Sequence, residues 1–183
     1  MNRPVPDASA EDAPLQEFRG AHAGILEGVH GLRELPALAA AMERARGIAT
    51  ATLDLFDQVV LRHHAEEEQD LFDAVLRSCR DPAEREQVTD LVALLTSQHR
   101  QVEELWTKLR PAVSRVAAGK APAEALFGAE VDRLVGLYEQ HARREEEEFL
   151  PLADRILRRN PNHMAALGVA LHVRHTLPPR AYI

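Results

Sequence analysis

Five histidines in this 183-residue chain are followed four positions later by a glutamate: His30 with Glu34, His63 with Glu67, His64 with Glu68, His99 with Glu103 and His141 with Glu145. Chance placement of nine histidines and nineteen glutamates over this length would give about one such pair. On a helix, positions i and i+4 share a face about 5–6 Å apart, so an imidazole and a carboxylate at this spacing can reach one cation. A solvated helix face favours the same pairing, so a single pair means little. Imidazole and carboxylate together suit iron or manganese, and zinc fits the same donors.

Register between helices separates the two readings. An antiparallel hairpin sets two residues level when its turn lies midway between them. The midpoint of His63 and His99 is residue 81, the Asp of Asp81-Pro82, a good helix cap followed by a proline suited to the first helical position. The midpoint of His99 and His141 is residue 120, in the expected loop 119–122. For His22 and His63 it falls near 42–43, where the closest breakers are Pro36 and Gly47, so the first connection is expected to be irregular. The residues four and seven positions earlier are apolar in each case: Phe18 and Leu15 before His22, Val59 and Phe56 before His63, Leu95 and Val92 before His99, Leu137 and Leu134 before His141. Core carboxylates and imidazoles at one level are costly unless a charge compensates them, and a cation is the simplest compensation.

His64 lies beside His63, about 100° round the helix, and both cannot point the same way. The LFD at 71–73 and the FLP at 149–151 begin eight residues after His63 and His141, which selects His63 over His64. The remaining acids of EEEQD and EEEE are read as outward charge with at most an indirect role. His30, His163, His172 and His175 are read as surface or packing residues.

The elements that must carry these residues follow from apolar spacing. Leu, Ala and Val recur at three- and four-residue intervals and aromatics make up only 4 %, which favours helix over sheet. Residues 1–14 are expected to be a disordered leader, and 15–160 one domain, an all-α, up-down antiparallel four-helix bundle. Residues 161–183 would form a short fifth helix and a tail. The net charge is −7 with scattered basic residues, so nucleic acid is not an expected partner. A lone cysteine, Cys79, gives neither a disulfide framework nor a thiolate cluster. With no signal-like stretch or long apolar run, the expectation is a cytoplasmic protein without a membrane partner. The pattern specifies no oligomeric state.

Taken together, AHAGIL, HHAEEEQDLFD, QHRQVEELW and HARREEEEFLPL resemble the hemerythrin-like or HHE cation-binding family over residues 15–157. The resemblance implies a hemerythrin-like bundle holding two iron ions (Fe2+/Fe3+) bridged by carboxylates and an oxo or hydroxo group. On that basis His22, His63, His99 and His141 are terminal ligands, and Glu67 and Glu145 are bridges. The chain departs from the oxygen-carrying hemerythrins at Glu103, where they have a second third-helix histidine, and in HARRE, where they have HxxxxD. It looks more like bacterial di-iron proteins linked to nitric oxide, peroxide and iron–sulfur repair. Glu103 could be a further ligand, an acceptor for a histidine N–H or a proton donor; the acceptor role is preferred, because Glu67 and Glu145 already supply the implied bridges.

The expected function is therefore di-iron binding, with oxygen, nitric oxide or peroxide bound or sensed in a stress response. A di-iron oxidoreductase turning over nitric oxide or peroxide, or an iron donor for cluster repair, is the alternative. A metal-free or zinc-bound helical interaction module is a third.

Overall fold

A computed structural model describes residues 13–123, 125–160, 162, 164 and 165, with side chains from Gly20 onward. The expected leader up to residue 12, His163, most of the expected fifth helix and the tail lie outside the described residues. Ala13 and Pro14, read as leader, open the first helix instead.

Every element among the described residues is helical. Helix α1 (Ala13–Gly31) leads through a 3-10 turn (Leu32–Glu34) into α2 (Leu35–Leu55). The chain continues through a π-helical turn (Phe56–Val60), α3 (Leu61–Glu66), a second π turn (Glu67–Leu71) and α4 (Phe72–Ser78). Helix α5 (Pro82–Ala117) and α6 (Phe127–Arg144) follow, then a third π turn (Glu145–Phe149) and α7 (Leu150–Leu157). Two compact units divide the chain, Met1–Ala45 and Arg46–Ile183. The second contains three long helical runs among its described residues, 46–78, 82–117 and 127–157, rather than four. No described helix is long and apolar enough to cross a membrane.

Residues 42 and 43 lie inside α2, so the chain does not turn at the midpoint of His22 and His63. The stretch AAAMERAR is made of strong helix formers, which carry the helix past that point. The irregularity falls earlier, in the 3-10 turn just before Pro36.

Both other turns are built from local chemistry. The Asp81 carboxylate accepts the Glu84 N–H at 2.9 Å and caps α5, with Pro82 as its first residue. At the far end of α5, Gly119 adopts a φ of 73° while its N–H reaches the Val116 carbonyl at 2.9 Å and the Lys120 N–H reaches the Arg115 carbonyl at 2.8 Å. This is a Schellman stop, and the left-handed residue it requires is a glycine. Pairing across the turns is antiparallel. Arg46 bonds the Ala117 carbonyl, Phe56 stacks on Trp106 at 4.1 Å, and His64 stacks on His99 at 4.0 Å. In the next hairpin His99 meets His141, and Glu84 pairs with Arg159.

Apolar side chains form two separate clusters in this unit. One gathers Phe56, Val60, Val102, Leu105, Trp106, Leu109 and Leu134, the other Phe72, Val75, Val88, Leu95, Phe149, Leu152 and Ile156. Along every helical run the two are separated by polar positions: His64 and Glu67, His99, then His141 and Glu145. Asp81→Ala removes the cap and is expected to destabilise the protein by about 1 kcal/mol in urea denaturation, because one orphan helix N–H loses its acceptor. Metal binding should be unchanged, since the cap lies outside the polar layer.

Candidate metal centre

Three imidazoles anchor the polar layer. His64, His99 and His141 are 1 %, 0 % and 1 % exposed, each one turn after a residue of the apolar stripe, Val60, Leu95 and Leu137. The His64 and His99 rings stack with centroids 4.0 Å apart and planes 6° from parallel; His141 stands edge-on to them at 5.6 and 4.7 Å. One nitrogen from each lies within 4.8 Å of the others. A second trio, His63, Glu67 and Glu145, meets the same distance. Glu67 and Glu145 each begin a π turn, a distortion that concentrates at functional sites because it re-aims the side chains around it.

Glu67 joins the two trios. Its Oε1 lies 3.1 Å from His63 Nε2 and its Oε2 lies 3.2 Å from His99 Nε2, but neither contact has hydrogen-bond geometry. Both Glu67 oxygens, His64 Nε2, His99 Nε2 and both His141 nitrogens are buried without a hydrogen-bond partner. Each such atom costs about 1–3 kcal/mol when nothing satisfies it. Six of them converging on one layer make poor packing, and the carboxylate oxygens with one nitrogen of each neutral imidazole make a good set of lone pairs for cations. On the outer side, the two stacked rings are satisfied: His64 Nδ1 is 3.1 Å from Glu103 Oε1 and His99 Nδ1 is 2.8 Å from Glu68 Oε1.

Burial dominates the titration of the layer. It pushes His141 down to about 4, with His99 adding to the effect, and it lowers His64. It also pushes the Glu145 carboxyl up to about 8, assisted by Glu67. Burial would raise Glu67 too, but the influence of His99 first, then of Glu145 and His63, holds that carboxylate below its ordinary value. Burial would lower His99, yet Glu67 and Glu68 together raise it.

Of the residues expected from sequence, His63, Glu67, His99, His141 and Glu145 come together in the second unit, with the His63 side chain 45 % exposed at the edge. His22 lies on α1, in the first unit; it is exposed and belongs to neither trio. Glu103 stands outside both trios, as the acceptor facing His64. His64 itself was passed over. The signal that finds it is the aromatic partner: Phe72 and Phe149 pack edge-to-face at 5.0 Å, and each stands eight residues after a buried histidine, His64 and His141.

A model of the hemerythrin HHE cation binding domain matches residues 13–153. The chain belongs to that family. No curated protein and no solved structure matches it. Within the HHE family frame the two trios fit a bound metal on chemical grounds: their donors are nitrogen and oxygen, most are buried, and the inward-facing ones lack other partners.

Two outcomes follow for this site. His64→Ala should lower the metal content of the purified protein at least as far as His63→Ala does, whereas His30→Ala should leave it unchanged; elemental analysis of the three variants checks this. In the metal-free protein, Glu145 (folded about 8, ordinary 4.5) and His99 (raised from 6.5) contribute stability that is lost as pH rises through their folded values. His141 (about 4, ordinary 6.5) and His64 (lowered) contribute stability that is lost as pH falls below 6.5. Above 6.5 only the first pair still titrates, so urea denaturation should show the metal-free protein less stable at about pH 8.5 than at about pH 6.5. Bound metal, which needs the ionised carboxylate, should remove that difference.

Proposed function

We propose that this HHE-family chain is a non-haem di-iron binding protein that binds or senses oxygen, nitric oxide or peroxide in a stress response. The observation that carries the reading is the grouping of donors: four histidines and two glutamates fall into two separate trios, each able to hold one ion. Nitrogen and oxygen donors without thiolate suit an iron pair held between helices. Iron bound there would supply open coordination positions and a change of oxidation state to a small ligand. His64, His99 and His141 would hold one ion and His63, Glu67 and Glu145 the other, with Glu67 spanning the two.

The chain's own residues fit the handling of a small ligand. Phe72 lies over His99 at 6.0 Å, and the Tyr138 ring stands 5.9 Å from His141 and 6.4 Å from His64. Burial raises the Tyr138 phenol above its ordinary value, keeping its proton in place as a potential donor beside the site. The partner on this reading is a diatomic molecule or peroxide, met in the cytoplasm.

The finer fold reading, a four-helix bundle over 15–160 in which the helix around His22 is the fourth member and His22 a further ligand, belongs to the same proposal. It rests on the apolar spacing of Leu15, Phe18, Ile25 and Leu26 about His22.

The test is the visible spectrum of the iron-loaded protein, reduced under anaerobic conditions and then exposed separately to oxygen, nitric oxide and peroxide. A new absorption band with at least one of them is expected. Spectra identical to the reduced protein with all three would contradict the reading. Iron content of His22→Ala, expected to fall, tests the fourth-helix part separately.

A further inference from the structure

We infer that Arg100 is a positioning residue for the metal centre: it clamps Glu68 and Glu103 so that they hold His99 and His64 as Nδ1–H tautomers, with both Nε2 lone pairs facing the cation site. The consequence for metal rests on the di-iron reading above, while the clamp itself rests on side-chain geometry alone.

The contacts form a continuous chain. Arg100 Nη1 lies 2.7 Å from Glu103 Oε2 and Nη2 lies 2.5 Å from Glu68 Oε2. The other oxygen of each carboxylate faces a buried ring, Glu103 Oε1 at 3.1 Å from His64 Nδ1 and Glu68 Oε1 at 2.8 Å from His99 Nδ1. Stacking of His64 on His99 at 4.0 Å closes the loop. The side chains step inward from the surface: Arg100 is 53 % exposed, Glu103 25 %, Glu68 22 %, and the two histidines 1 % and 0 %.

Each element of this chain has a physical reason to need the next. A neutral imidazole can carry its proton on either nitrogen, and a carboxylate accepting at Nδ1 selects the form whose Nε2 is a free lone pair. A partly exposed carboxylate, however, can rotate into water and release the ring. Glu68 and Glu103 also come from different helical runs, 46–78 and 82–117, and both carry negative charge beside Glu67. A guanidinium between them offsets that charge and, through two separate N–H groups in one rigid plane, fixes both carboxylates at once. A lysine, with a compact charge on a flexible stem, cannot span both in the same way. His141 provides an internal contrast, since neither of its nitrogens has a hydrogen-bond partner.

The direct test is the two-bond proton–nitrogen imidazole spectrum of the 15N-labelled, metal-free full chain, recorded at rising pH until neither ring shows the imidazolium pattern, because Glu67 and Glu68 raise His99 above the ordinary imidazole range. Wild type should show His64 and His99 as Nδ1–H. Arg100→Ala should move both toward mixed or Nε2–H tautomers with His141 unchanged, and Arg100→Lys should restore at most one of them. Zinc titration should show binding weakened about 10-fold in Arg100→Ala, the size of effect expected when the support of a ligating histidine is lost. Wild-type rings found as Nε2–H, or unaltered tautomers in Arg100→Ala, would overturn the clamp. If Arg100→Ala does not fold by circular dichroism, Arg100→Gln, which keeps the side-chain bulk, takes its place with the same expectations. A wild-type chain that binds neither zinc nor iron would refute the metal reading while leaving the tautomer comparison to decide the clamp.

Discussion

Six buried nitrogen and oxygen atoms without hydrogen-bond partners, on His64, His99, His141 and Glu67, are the constraint on which the second unit depends. A low-dielectric interior makes each unpaired polar group expensive, and makes a cation among them correspondingly favourable. The two apolar clusters on either side hold three helical runs in the register that brings those atoms to one level. Without the clusters the donors would not meet; without a cation the donors would work against the clusters.

The metal-free layer partly compensates itself with protons. Burial keeps the Glu145 proton in place up to about pH 8 beside an ionised Glu67, so the two carboxyl groups carry one negative charge instead of two. Burial meanwhile keeps His141 neutral down to about 4. A dication at this site would therefore meet His64 and His141 as neutral donors, and Glu145 would have to give up its proton to join them. Outside this layer, Glu68, Glu103 and Arg100 fix ring orientation before any metal arrives, and the cost of ordering the stacked pair falls on folding rather than on binding.

Much of this was legible in one dimension. The turn at Asp81 and the loop at Gly119 carry strong local chemistry, and halving the distance between histidines locates both. His99 and His141 follow from apolar spacing because each lies on a stripe with neighbours in the core, whereas Glu67 and Glu145 follow from the family resemblance and from their place four residues after a histidine. The choice between His63 and His64 is posed in the sequence as exclusive, whereas the structure gives both a place in the layer. Adjacent residues point about 100° apart, but two adjoining trios offer each of them a place, one at the edge and one inside. The π turns beginning at Glu67 and Glu145 also displace α-helical arithmetic by part of a turn, and no residue type announces them. Glu68 reads as outward charge because its partners, His99 and Arg100, lie on another helical run, information that spacing along one helix does not contain. The first connection is irregular as expected, a 3-10 turn just before Pro36, and strong helix formers at 39–46 carry α2 past the midpoint of His22 and His63.

The claim that this layer is a two-cation site is tested most directly by anomalous diffraction at the iron edge from crystals of the iron-loaded chain. The account predicts two peaks, one beside the nitrogens of His64, His99 and His141, the other beside His63, Glu67 and Glu145, with Glu67 between them. A fully loaded crystal with a single peak, or with peaks only outside the two trios, would contradict it.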